Sequence, residues 1–140
     1  MDNIRLENIA NCCGNIKKTM QKNINVFLKS YDITSIHAHY LLFLKSNAGL
    51  TMKELNKCLC VDKAHTTRVI KSLEEKKLIY KIGNQRMYKI YLTEEGINIA
   101  NIVEQNMLTL KNKIMNNINN EQLDVFIEIL KQIEENLKGD

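Results

Sequence analysis

The chain has 140 residues, 44% of them apolar, with a net charge of +4, four cysteines and no proline. That is apolar material for one small domain with helical arms and too little for several domains. No apolar run approaches the ~20 residues that span a bilayer, and the opening MDNIRLENIANCC is broken by charge instead of forming a secretory leader. A cytoplasmic protein with reduced cysteines and no membrane partner is expected.

In chain order, Leu6, Ile9, Cys13, Ile16, Met20, Ile24, Phe27 and Tyr31 recur at alternating spacings of three and four. This predicts one long helix over Asn3 to Ser30 with a narrow apolar seam. After a break at Tyr31-Asp32, Ile33 to Leu44 reads as an internal helix capped by Thr34 or Ser35 and stopped at Asn47-Ala48-Gly49. Thr51 with Glu54 three residues on is a capping box, and Met52, Leu55 and Leu59 give that short helix its stripe. Asp62 caps a longer helix with Thr66, Val69, Ile70 and Leu73 on one side. Leu78 to Ile82 and Met87 to Leu92 are β-rich runs around a Gly83-Asn84-Gln85-Arg86 turn. Thr93 caps a further helix running past Ile99, Val103, Met107 and Leu110 to Ile114 and Ile118. The last helix, Glu121 to Leu137, carries Leu123, Phe126, Ile127, Leu130, Ile133 and Leu137 on one stripe. The fold class is mainly α with a small β-hairpin wing.

Charge is uneven along this series. Residues 51–93 hold ten Lys/Arg against four Asp/Glu, whereas residues 94–140 hold four against nine. A basic middle with an acidic arm is the footprint of a nucleic-acid binder whose other end faces elsewhere. On the helix after Asp62, Ala64, Thr67, Arg68 and Lys71 lie opposite the apolar row, with Lys63 and His65 near its start. A small residue allows close approach, a hydroxyl bonds phosphate or a base edge, and Arg grips guanine with two hydrogen bonds. Arg86 at a hairpin tip suits the narrow minor groove. The candidate DNA-contacting residues are Lys63, Ala64, His65, Thr67, Arg68, Lys71 and Arg86, with double-stranded DNA as partner.

Thr51 to Gly96 resembles the DNA-binding core of the multiple-antibiotic-resistance regulator (MarR) family of winged-helix transcription factors. The resemblance lies in LTMKEL, in TTRVIKSLEEKKLI and in the hairpin closing on LTEEG, and the flanking helices also suit the family. The family usually carries Asp-x-Arg in the wing, where this chain has Asn84-Gln85-Arg86, and commonly a Gly before LI, where it has Lys77. The resemblance implies a single domain over 1–140: a winged helix-turn-helix core at 33–96, with dimerisation helices at 1–31 and 97–140. It implies a homodimer, since apolar seams on three helices have little globular body to cover. It also implies an effector crevice, here with Ile16, Met20, His37, Tyr40 and Phe43 as candidates for a small-molecule ligand.

The function expected is a homodimeric repressor on a palindromic operator, released by a small-molecule signal. Two alternatives stay open. One is a thiol-based oxidation sensor using Cys12 or Cys13; the other is a winged-helix module that binds protein. Cys58 and Cys60 bracket Leu59 at a helix end, where a cysteine is often a small buried hydrophobe, and their spacing to His65, His37 or His39 lacks the two spaced pairs of a zinc site. No phosphate loop, zinc-protease motif or nucleophile elbow is present. No enzyme, metal or cofactor is expected.

Overall fold

The structure, a computed structural model, describes residues 3–139. The elements are α1 (Asn3–Lys29), α2 (Ser35–Ser46), α3 (Met52–Leu59), α4 (Lys63–Glu75), β1 (Ile79–Gly83), β2 (Tyr88–Leu92), α5 (Glu94–Ile114) and α6 (Asn120–Lys138). The strands form one antiparallel pair in the register Ile79 to Leu92 through Gly83 to Tyr88. The chain divides into two compact units, one up to Glu104 and one from Gln105 onward. The mainly helical class with a two-stranded wing is as the sequence pattern predicts.

Caps set most boundaries. The side chains of Thr34, Thr51 and Asn119 accept from the backbone N–H three residues on, and the residue there reaches back to the cap, so each helix opens on a full capping box. Asp62 opens α4 by accepting from the His65 N–H at 2.7 Å. Thr93 opens α5 by accepting from Gly96 at 3.0 Å while its hydroxyl donates to the Lys77 carbonyl.

The core of the first unit is built from Leu28, α2 (Ala38, Tyr40, Leu41, Leu44), Leu55, the α4 row, the hairpin base (Leu78, Ile79, Ile90, Leu92) and the start of α5 (Ile99, Ala100, Val103). Leu28 is fully buried although it lies off the predicted seam, and Tyr31 on that seam is exposed. The chain turns sharply there, so only the last turns of α1 meet the core. In the second unit, α5 stops at Ile114, a turn before Ile118, because Asn117 adopts a left-handed φ of 62°. No residue of α6 is buried.

The α4–β1 junction differs from expectation for a physical reason. β1 begins at Ile79, one residue late, because Leu78 closes α4: its N–H bonds the Leu73 carbonyl and the Lys77 N–H bonds the Glu74 carbonyl. This six-to-one, five-to-two pattern needs a left-handed residue before Leu78, and Lys77 takes it at φ 59°. The family-typical glycine is the residue that position prefers. Gly96 meets the opposite demand. A Cβ there would sit 2.0 Å from the Leu78 carbonyl oxygen, so only glycine lets α5 approach the α4–β1 corner. At the wing tip, Asn84 accepts on Oδ1 from the N–H groups of Arg86 (3.0 Å) and Met87 (2.8 Å), and its own N–H donates to the Met87 carbonyl.

Lys77→Gly should therefore stabilise the protein by about 0.5–1 kcal/mol. The left-handed penalty of ~1–2 kcal/mol exceeds the ~0.5–1 kcal/mol of extra chain entropy that glycine loses. Gly96→Ala should destabilise by about 1–3 kcal/mol. Urea unfolding at fixed protein concentration measures both. At the wing, Asn84→Asp keeps the accepting oxygen and should leave the turn intact. Asn84→Ala should loosen it by roughly 1 kcal/mol, seen as about fivefold faster amide exchange at Arg86 and Met87; equal exchange in both variants would exclude that role.

Candidate nucleic-acid interface

The apolar row of α4 decides what its other side presents. Thr66, Val69, Ile70 and Leu73 are buried, which leaves Lys63, Ala64, Thr67, Arg68 and Lys71 exposed. Thr66 is the sole polar residue of the buried set, and its hydroxyl meets that of Tyr40 on α2 at 3.1 Å. The Thr67 hydroxyl donates to the Lys63 carbonyl at 2.7 Å and keeps its lone pairs free to accept. His65 turns partly inward, its ring 6.3 Å from that of Tyr40, so it is the least outward of the predicted contacts.

The hairpin stands beside this helix. Lys81 pairs with Glu74 at the end of α4 at 3.3 Å and lies over the Tyr88 ring at 4.7 Å, bracing the wing base. Leu50 bridges Ile90 on the outer edge of β2, which ties the wing to the segment before α3. Between α3, α4 and the wing lies an open groove of about 660 Å³, lined by Thr51, Met52, Lys53, Asn56, Lys63, Thr67 and residues 85–88. Lys63, Thr67 and Arg86, predicted separately, thus share one concave surface. Ala64, Arg68 and Lys71 lie on the exposed side of the same helix.

The groove adds residues that the sequence reasoning passed over: Lys53 and Asn56 on α3, and Gln85 and Met87 on the wing. The signal for Lys53 was present. Lys53 lies off the Met52, Leu55, Leu59 stripe, where the outward-face argument used for α4 applies, whereas Asn56, four residues after Met52, borders the stripe and is half-buried. The side-chain oxygen of Asn56 is buried without a partner. Met87 is 72% exposed beside Arg86, an apolar side chain held at the tip by the Asn84 turn.

The five candidate effector residues lie on α1 and α2. Tyr40 is buried and its hydroxyl is engaged by Thr66. His37 sits half-buried in the α2 cap and bonds Ser72 at 2.9 Å. Met20 and Phe43 are half-buried, and Ile16 is exposed on α1. All four cysteines are free and exposed. For Cys58 and Cys60 this corrects the expectation of burial: Cys58 is one residue off the α3 stripe, and Cys60 lies past the helix end in a left-handed cap. Among the described residues no group of three or more His, Cys, Asp or Glu side chains gathers as a metal site would, and no helix is long and apolar enough to cross a membrane.

Known proteins share this fold. The sequence model of the MarR family matches residues 31–86. The HTH-type transcriptional regulator BilQ of Clostridioides difficile (strain CD3) is 30% identical over 97 residues, a stretch that spans about two thirds of each chain, 67% of this one and 66% of BilQ. Among solved structures, a MarR protein from Peptoclostridium difficile superposes with a TM-score of 0.73 at 20% identity, covering 94% of this chain and 88% of that one. The MepR–DNA complex of S. aureus superposes with a TM-score of 0.75 at 23% identity, covering 91% and 96%. The two structures share the fold, and BilQ with the family model carries the kinship in sequence. The chain belongs to the MarR family of winged-helix, DNA-binding transcriptional regulators.

Proposed function

We propose that the chain is a cytoplasmic homodimeric repressor that sits on a palindromic duplex operator and leaves it when a small molecule binds. One observation carries the DNA-facing part. Among the described residues, Lys45, Lys76, Lys81 and Lys138 are paired with carboxylates, whereas Lys53, Lys63, Arg68, Lys71 and Arg86 are in no ion pair. Cations elsewhere, such as Lys17, Lys18 and Lys113, are in no ion pair either; what sets these five apart is that Lys53, Lys63 and Arg86 line one groove, with Arg68 and Lys71 on the adjoining exposed side of α4. Such charges repel one another and are neutralised by a phosphate backbone. MepR, of the same fold, is described as a DNA complex.

In this reading α4 enters the major groove. Lys63, Ala64, His65, Thr67, Arg68 and Lys71 meet bases or adjacent phosphates, and Arg86 meets the minor groove. The second copy covers the apolar faces left open at the two ends of the chain. On α1 these include Ile4, Leu6, Ile9 and Ile16; on α6 they include Phe126, Ile127 and Leu137. The dimerisation helices are thus 1–31 and 97–140, around a reading core at 33–96. The effector crevice draws on the whole candidate set, Ile16, Met20, His37, Tyr40 and Phe43, beside the dimer seam of α1.

Two measurements test this. Sedimentation at micromolar concentration should give about twice the 16.3 kDa of one chain; a persistent monomer would exclude two-fold reading of a palindrome. Arg68→Ala should cost about 1–3 kcal/mol on a duplex selected for tight binding and relax preference at one position per half-site. Arg86→Ala should weaken selected and random duplexes more evenly and flatten the salt dependence by about one phosphate contact per subunit. If neither substitution changes binding at any salt, the reading face is misplaced.

A further inference from the structure

A hollow of about 470 Å³ lies at the α1–α2 turn, away from the reading face. Asn25 and Lys29 of α1, Asp32 of the turn, His37 of α2 and Lys76 at the end of α4 line it. Two bonds cross from this turn to α4. Lys76 pairs with Asp32 at 2.9 Å, and His37 Nε2 lies 2.9 Å from the Ser72 hydroxyl. Ser72 and Lys76 are four residues apart, so both tethers hold one side of the last turn of α4.

The protonation state of His37 follows from its other bond. The backbone N–H of Thr34 donates to His37 Nδ1 at 3.1 Å. A backbone amide can only donate, so Nδ1 is the bare nitrogen. Nε2 therefore carries the proton and donates to Ser72. His37 thus closes the cap of α2 with one nitrogen and grips α4 with the other; the cap bond requires the neutral ring, whereas the Ser72 bond needs only the proton on Nε2. Protonated, Nδ1 would face a second donor and the cap bond would be lost. The ring would also bear a charge near Lys76 and Lys29 and would compete with Lys76 for Asp32.

We propose that neutral His37 is a positioning residue for the recognition helix, and that its protonation in mild acid frees the last turn of α4 and weakens sequence-selective DNA binding. This rests on the DNA-binding function proposed above. Burial, and then the charge of Lys76, push the His37 pKa down, and Asp32 opposes them in part. The folded chain thus favours the neutral ring. That contribution is complete above the free-imidazole value of about 6.5 and is lost as pH falls below it. The sign is diagnostic. Adding positive charge to a protein that binds a polyanion should by itself tighten binding in acid.

The test titrates the full chain at constant ionic strength with two labelled duplexes, one of random sequence and one recovered from a randomised pool as the tightest binder. The quantity read is the ratio of the two affinities at about pH 8 and about pH 5.5, on either side of the imidazole range. The wild-type ratio should fall about threefold or more in acid. In His37→Gln the carboxamide oxygen can accept from Thr34 while its NH₂ donates to Ser72, and nothing titrates; the ratio should be the same at both pH values. Ser72→Ala lacks the acceptor, so its ratio should be low at both. A His37→Gln protein that keeps the wild-type pH dependence, or a wild-type ratio that does not fall, overturns the positioning role. Absence of binding to either duplex at any pH instead overturns the DNA-binding function, and the positioning role with it.

Discussion

The hydroxyls of Tyr40 and Thr66 meet inside the first unit, and the seating of α4 depends on them. Thr66 is fully buried in an otherwise apolar row, and Tyr40 is nearly so. A buried hydroxyl without a partner costs about 1–3 kcal/mol, so each strongly requires the other. An apolar row alone would hold α4 against the core with some freedom to rotate. A directional bond across 26 residues of sequence sets the rotation. The exposed line of Ala64, Thr67, Arg68 and Lys71 is the other side of that same choice. Specificity on the outside is inherited from a polar contact on the inside.

Much of this is legible in the residues because it is local. Thr51 with Glu54, and Asp62 before a periodic apolar row, announce α3 and α4 by capping chemistry that needs only a few neighbours. The 3.6-residue period separates buried from exposed on α4 without error. The rest depends on partners far along the chain. Nothing near His37 in sequence points to its bond with Ser72. The one-residue shift of β1 follows from how Leu78 closes the preceding helix, which the alternation of the strand cannot reveal. Cys58 and Cys60 read as buried because cysteine usually is; the α3 stripe, which leaves Cys58 out, was the better guide.

The wing shows how a changed residue keeps a local function. Where the family usually has an acid, Asn84 still offers the oxygen that the Arg86 and Met87 amides need. The turn uses the acceptor and not the charge. Losing the acid has an electrostatic consequence all the same: Arg86 stands without a neighbouring carboxylate in its own turn, in a region whose other free cations lie on α3 and α4. Positive charge is thus spread along the full width of the groove instead of being neutralised at its rim.

The approach of Gly96 to the Leu78 carbonyl also imposes an order of assembly. The Thr93 N–H bonds the same carbonyl at 3.0 Å, so the start of α5 is docked through an atom 15 residues earlier in the chain. That atom reaches its place only after α4 has closed at Leu73 and the hairpin has folded back. Helix closure and a short hairpin are local events, fast and cheap in loop entropy. Docking of α5 on the core is a later, longer-range step that the hairpin makes nearly local. A chain emerging from the ribosome can therefore complete the α3–α4–wing module first and add the start of α5 to a surface already formed.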